Sequence, residues 1–163
     1  MNEPCRLRID LTRQQLEVIG SEGRILRRYP VSTAANGPGE MDGSYCTPTG
    51  EHVIRARIGD GLPLNTVFVG RRPTGETYHC GMRDRHPDRD WILTRIIWLS
   101  GCEPGKNRLG DVDTMRRYIY LHGTPDDVDM SQPGSRGCVR MRNTDIVELF
   151  DLVSIGTRVC IDA

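Results

Sequence analysis

One histidine and one cysteine stand where this chain could do chemistry. His122 ends an alternating apolar run, Tyr118-Ile119-Tyr120-Leu121, and is followed by Gly123 and Thr124. Cys138 comes sixteen positions later, after a turn at Pro133-Gly134 and the tripeptide Ser135-Arg136-Gly137, and leads into Val139-Arg140-Met141. An imidazole beside a thiol lowers the thiol pKa and holds it as thiolate, the nucleophilic species. Two strand ends joined by a polar loop would bring the two side chains together. The competing reading is a buried structural cysteine with an unrelated loop histidine. The glycines next to both residues favour the catalytic pair.

An amide carbonyl is a weak electrophile, so acyl transfer needs a nucleophile, a proton handler and a home for the oxyanion. Cys138 is the expected nucleophile. His122 is the group expected to take its proton and later hand it to the departing amine. The backbone N–H groups of Arg136, Gly137 and Cys138 are the expected oxyanion donors, because glycine lets the chain bend them toward one point. Asp126 and Asp127 lie close to the histidine but read as solvated loop charges. Papain-like enzymes place cysteine well before histidine, and caspases put the histidine about 50 residues upstream. The order and spacing found here fit neither.

These same segments carry a family resemblance. His122-Gly123-Thr124, the step to Cys138, and Ser135-Arg136-Gly137-Cys138-Val139-Arg140-Met141 resemble the signature of the YkuD-type L,D-transpeptidases. That family writes it as His-Gly, a loop, then Ser-(His or Arg)-Gly-Cys-(Ile or Val)-Arg-Met. Thr47-Pro48-Thr49-Gly50-Glu51-His52 is similar to the family's upstream turn, and Gly156-Thr157-Arg158-Val159 to its closing strand. Arg136 stands where many members have histidine.

The resemblance implies a YkuD-type catalytic domain and the Gly123 carbonyl as the group that orients His122. It also implies a substrate, the peptidoglycan stem peptide or a muropeptide. Attack would fall on the L-centre carbonyl of diaminopimelate, or lysine, in the third position, with D-alanine leaving from the fourth. Such a substrate carries several carboxylates, which Arg forks bind bidentately. Arg140, which matches the motif, and Arg117, at the opening of the histidine's strand, are the expected carboxylate partners. Ser135 and Tyr120 complete the expected substrate contacts. A salt bridge for the arginines and core packing for Tyr120 stay open as alternatives. Carbapenem β-lactams are the expected covalent inhibitors, adding at Cys138.

Placing this pair takes a scaffold of short strands. Leu7, Ile9 and Leu11 alternate with charged residues as a half-buried strand does. Leu16 and Val18, then Ile25 and Tyr29, continue a meander around a hairpin turn at Gly20-Ser21-Glu22-Gly23. The segment 34–50 reads as a long, functional surface loop. Val53, Ile54 and Ala56, then Thr66 to Val69, give further strands, and Trp91 to Leu99 a core strand. The interleaved charges of 70–90 read as a solvated loop. Asp111 to Arg117 suggests one helical turn. After Met141, Asn143 or Thr144 is the expected cap of a helix carrying Ile146, Val147, Leu149, Phe150 and Val153, with Gly156 as its stop. Arg158 to Ile161 closes the chain as a strand. The expected fold is mainly β, with mixed β-sheets and one α-helix in the C-terminal half.

Length and composition bound the rest. The chain has 163 residues, which suits one domain spanning 1–163. Its formal net charge is zero, which argues against a nucleic-acid partner. No apolar run is long enough for a membrane-spanning helix, so no membrane insertion is expected. His79, Cys80 and His86 lack the paired spacing of a zinc site, so neither metal nor cofactor is expected. Six scattered cysteines fit unpaired thiols in a reducing compartment. With no basic n-region and apolar h-region at its start, the chain is expected to be cytoplasmic, or periplasmic if a leader precedes it in the natural protein. Water would resolve the Cys138 thioester as an L,D-carboxypeptidase of murein recycling does, trimming tetrapeptide to tripeptide. An amine would resolve it as an L,D-transpeptidase does, forming cross-links or exchanging D-amino acids. Cytoplasmic placement favours the first. A third reading, from another class, is a non-catalytic domain that binds murein peptides.

Overall fold

The protein is described by a computed structural model covering residues 4–163. Strands β1 (Arg6–Asp10), β2 (Gln15–Ile19) and β3 (Ile25–Pro30) form the expected meander. The alternation read from the sequence is the alternation of burial: Leu7, Ile9, Leu16 and Val18 have no exposed surface. A short 3-10 turn at Ser21–Gly23 joins β2 to β3. β4 (Gly50–Ile58), β5 (Thr66–Val69) and β6 (Arg72–Thr77) follow, then helix α1 (Cys80–Arg85) and the long strand β7 (Ile92–Gly101). β8 (Tyr120–Gly123), β9 (Val139–Met141), helix α2 (Asn143–Leu152) and β10 (Arg158–Asp162) complete the chain.

All ten strands belong to one mixed sheet in the order β3-β2-β1-β10-β4-β7-β5-β6, with β8 also paired to β7 and β9 to β8. β1 runs parallel to β10 and β8 parallel to β9; the other pairings are antiparallel. One face of the sheet and α2 enclose the main core, to which Ile54, Leu99, Leu121, Val139, Met141, Ile146 and Leu149 contribute. Burying each such side chain contributes about 1.5–3 kcal/mol relative to leaving it exposed. The spacing of Ile146, Leu149 and Phe150 places all three on the buried side of α2.

Four local features differ from the sequence reading, the last of them at Asn143. The charged segment 70–90 holds a strand and a second, six-residue helix, not only a solvated loop. β6 is exposed along its length, yet the segment is anchored where Met82, Val67, Trp91 and Leu93 form a small second core. Tyr78 packs edge-on to Trp91 there at 5.1 Å. The turn near Asp111 is a 3-10 turn at Gly110–Val112, with Arg117 N–H closing onto the Asp113 carbonyl at 3.0 Å. Third, α2 ends at Leu152, and Gly156 lies beyond it in the turn to β10, at φ +94°.

Asn143 does not cap α2 through its side chain; Arg142 occupies the cap position without a side-chain bond. The Asn143 amide is instead buried. Its Oδ1 accepts from Thr94 Oγ1 at 2.6 Å, and its Nδ2 donates among Thr124 O (3.0 Å), Asn65 Oδ1 (3.1 Å) and Asp126 Oδ1 (3.2 Å). Thr94 sits at φ +74°, in the bulged stretch of β7 between Leu93 and Ile96. The bulge is what turns its hydroxyl toward Asn143. Asn143→Ala strands those groups in a buried setting and is expected to cost about 2–3 kcal/mol, or about 4–12 °C in thermal midpoint. Thermal unfolding followed by circular dichroism checks this, and an unchanged midpoint would contradict it.

Candidate active site

Strands β8 and β9 build the site. Their parallel register sets Leu121 against Val139 and His122 against Arg140. Leu121 and Val139 point into the main core, so alternation sends Tyr120, His122, Arg140 and the residue two before it, Cys138, to the opposite face. Cys138 packs there beside Tyr120, Phe68 and Ile96. His122 and Cys138 are therefore one pleat apart on one face.

The loop before β9 is pinned from the long loop that follows β3. Gly134 and Ser135 N–H groups donate to the Thr33 carbonyl at 2.8 and 2.9 Å, and Arg140 N–H donates to Ser32 at 2.9 Å. Thr47 Oγ1 donates to the Gly137 carbonyl at 2.9 Å. Gly137 itself sits at φ +129°, and a Cβ there would lie 3.1 Å from Ile119 Cδ1 and 3.2 Å from the Cys46 carbonyl. Both the backbone angle and the space require glycine next to the cysteine. Gly123 is equally constrained: a Cβ there would fall 2.4 Å from Asn143 Oδ1 and 2.6 Å from the Leu93 carbonyl.

His122 has no exposed surface, and its Nδ1 lies 2.6 Å from the Gly123 carbonyl. A carbonyl only accepts, so Nδ1 carries the hydrogen and Nε2 is left as a bare lone pair. That nitrogen is buried without a hydrogen-bond partner. Burial pulls the imidazole pKa below its ordinary value, against smaller upward pulls from Asp90 and the Gly123 bond. Cys138 is half-buried; its Sγ donates to the Tyr118 carbonyl and accepts from Tyr120 N–H, each at 3.3 Å. Burial pushes this thiol up to about 12, which Arg140 and Arg117 only partly oppose. Both shifts run against the charged forms, and so against the thiolate expected from the sequence. Desolvation penalises both charged forms.

The other expected site residues divide. The Ser135 hydroxyl donates to the Cys138 carbonyl at 2.5 Å and accepts from the Gly137 N–H at 3.2 Å. Ser135, 3% exposed and expected to contact substrate, thus braces the loop that carries Cys138. Gly137's amide is spent on it, which leaves the amides of Arg136 and Cys138 from the expected oxyanion set. Arg117, also expected to meet the substrate, is engaged within the protein. Its guanidinium donates to Cys46 O (2.7 Å), Glu40 O (3.2 Å) and Gly39 O (3.3 Å), holding the long loop in place. Arg136 is exposed and reaches the Asp88 carbonyl at 2.9 Å. Arg140 pairs with Asp90 at 2.8 Å on the face that holds His122. Tyr120 is buried with its hydroxyl accepting from Arg71 Nη1 at 3.1 Å.

Asp127 pairs with Arg83 at 2.5 Å, and Asp126 accepts from Asn143. The carboxylate whose field reaches both His122 and Cys138 is Asp90, which no sequence signal marked. His86 tilts against Trp91, while His79 and Cys80 border a cavity of about 250 Å³ with Tyr78, Asn65, Asp126 and Asp127. Among the described residues no cluster of three His, Cys, Asp or Glu could hold a metal. A second cavity, of about 320 Å³, lies along the nucleophile loop between Ala35, Asn36 and Tyr45 on one side and Gly134, Ser135 and Arg136 on the other.

An imidazole with a free basic nitrogen, oriented by a carbonyl and sharing a sheet face with a thiol, defines a cysteine-type acyl-transfer centre on a β scaffold. The chain belongs to the YkuD family, the L,D-transpeptidase catalytic domain, which matches residues 5–161. It is 47% identical over 127 residues to the probable L,D-transpeptidase ErfK/SrfK of Salmonella typhimurium, covering 71% of this chain and 39% of that protein. The matches span less than half the length of the curated relatives. Among solved structures, it is similar to L,D-transpeptidase 3 of Mycobacterium tuberculosis with a faropenem-derived adduct (TM-score 0.58, 15% identity, 98% of this chain and 60% of that one). LdtMt1 in complex with imipenem gives a TM-score of 0.58 at 16% identity, over 98% of this chain and 59% of that one. These last two likenesses establish the fold.

Proposed function

We propose that this domain transfers the acyl group of a peptidoglycan stem peptide through Cys138. The observation that carries this reading is the buried, unpartnered Nε2 of His122 on the face that bears the cysteine. Cys138 attacks the L-centre carbonyl of the third residue while its proton passes to His122. Amide N–H groups of Cys138 and Arg136 receive the oxyanion. The D-alanine amine leaves with the proton from His122, and a thioester remains on sulfur. A murein-binding domain without chemistry would have no use for such a base beside a thiol.

Water is the proposed acceptor, giving an L,D-carboxypeptidase in a reducing, cytoplasmic setting. The free thiols of Cys46, Cys80, Cys102, Cys138 and Cys160 support that setting. The names of the relatives favour the second reading, in which an amine resolves the thioester and the product is a cross-link or an exchanged D-amino acid. Carbapenems would acylate the same sulfur, as the imipenem complex of LdtMt1 suggests. Incubation with disaccharide-tetrapeptide, read by mass spectrometry, tests all of this. Loss of one alanine means hydrolysis, and a cross-linked or exchanged product means transpeptidation. Unchanged mass would refute acyl transfer on this substrate.

A further inference from the structure

We propose that Arg71 is the residue that binds a substrate carboxylate beside the scissile bond, and so sets peptide specificity. The inference deepens the stem-peptide reading above and rests on it. Arg140, Arg117 and Arg136 are engaged by Asp90, the loop carbonyls and Asp88 respectively. Arg71 has one hydrogen bond, to Tyr120 Oη at 3.1 Å, and pairs with no carboxylate among the described residues. Its guanidinium lies 4.9 Å over the Trp98 ring and 4.8 Å over the Tyr118 ring. The same two tyrosines hold the nucleophile through their backbone: the Tyr118 carbonyl and the Tyr120 N–H both contact Sγ. A planar cation clamped by aromatic rings, with donors left over, is preorganised for a bidentate carboxylate.

The backbone gives a second, independent reason. Gly70 and Arg71 form the two-residue turn of the β5–β6 hairpin, with Val69 opposite Arg72. Their φ values are +56° and +67°. Such a turn calls for Asn-Gly or Gly-Gly, because a left-handed residue with a Cβ is strained. Tyr118, the ring beneath the guanidinium, is also left-handed, at φ +57°. The two left-handed residues meet where the guanidinium lies over the Tyr118 ring, whose own carbonyl contacts Sγ.

The carboxylate could be the peptide's C-terminal one or the side-chain one of its third residue, and the test separates them. Arg71→Met and wild type are assayed on three tetrapeptides: unmodified, amidated at the C-terminus, and amidated at the third side chain. The expected result is a rise in KM of about 10- to 100-fold for Arg71→Met on the unmodified peptide, with kcat changed less than about threefold. Amidating the cognate carboxylate should impose the same penalty on wild type and none further on the variant. Arg71→Lys, which keeps charge but not the planar fork, should fall between. An unchanged KM in Arg71→Met would overturn the assignment, as would losses that multiply with both amides. Wild-type protein that leaves all three peptides intact would overturn the substrate reading and the Arg71 role together.

Discussion

Cys138→Ala is expected to reduce turnover of a stem peptide by about 10⁴-fold or more, the scale reached when a covalent nucleophile is removed. In the proposed reaction the sulfur forms the bond that splits amide cleavage into two easier steps. Cys46, whose carbonyl lies against Gly137, directs its sulfur to the Asn36 and Ser44 carbonyls, each at 3.6 Å. The fold should survive, since Cys138 is half-buried and its side chain gives up only two weak sulfur bonds. Alanine release measured by mass, alongside a thermal melt, checks both points. Retention of more than about a tenth of wild-type turnover would remove Cys138 from the mechanism.

His122→Gln is the second large effect. Glutamine nearly fills the imidazole's space but supplies no basic nitrogen, so loss of general-base catalysis should slow acylation by about 10²–10⁴-fold. The double variant with Cys138→Ala should be no slower than Cys138→Ala alone, because the two groups act as one unit. In the native protein, kcat/KM should fall with acid as Nε2 takes a proton. Burial disfavours that charge, so the acid limb should lie below the ordinary imidazole value of about 6.5. His122→Gln should lack this limb. The fold itself weakens in the same range. Burial lowers His52 to about 4, whereas the unfolded chain binds that proton near 6.5. Stability present above the unfolded value is therefore lost progressively as pH falls between the two. A melt at each pH separates the chemical limb from unfolding.

Much of the frame was legible because period-2 alternation is a direct consequence of half-burial. Leu7, Ile9, Leu16 and Val18 announced β1 and β2 in this way, and glycines announced the tight backbone on either side of the reactive residues. Asn143 was harder. An asparagine at a helix start suits a cap or an inward amide, and only the bulge at Thr94 decides which. Ser135 and Arg117 sit in or near the motif, but their hydrogen bonds are spent on the loops they hold. Asp90 and Arg71 lie in a charged run without a period, and their approach to the site depends on how β5, β6 and β7 pair. The direction in which burial moves the Cys138 thiol was the least legible feature, because desolvation is a property of the folded environment and not of a neighbour in sequence.

The most direct test of the Cys138–His122 pair is the rate and position of acylation by a carbapenem at neutral pH. Intact-mass kinetics with peptide mapping would be run on wild type and His122→Gln. The expected result is one adduct, on Cys138, forming at least about 100-fold more slowly in the variant. An adduct on any of the other five cysteines, or equal rates in the two proteins, would contradict a thiol activated by that imidazole.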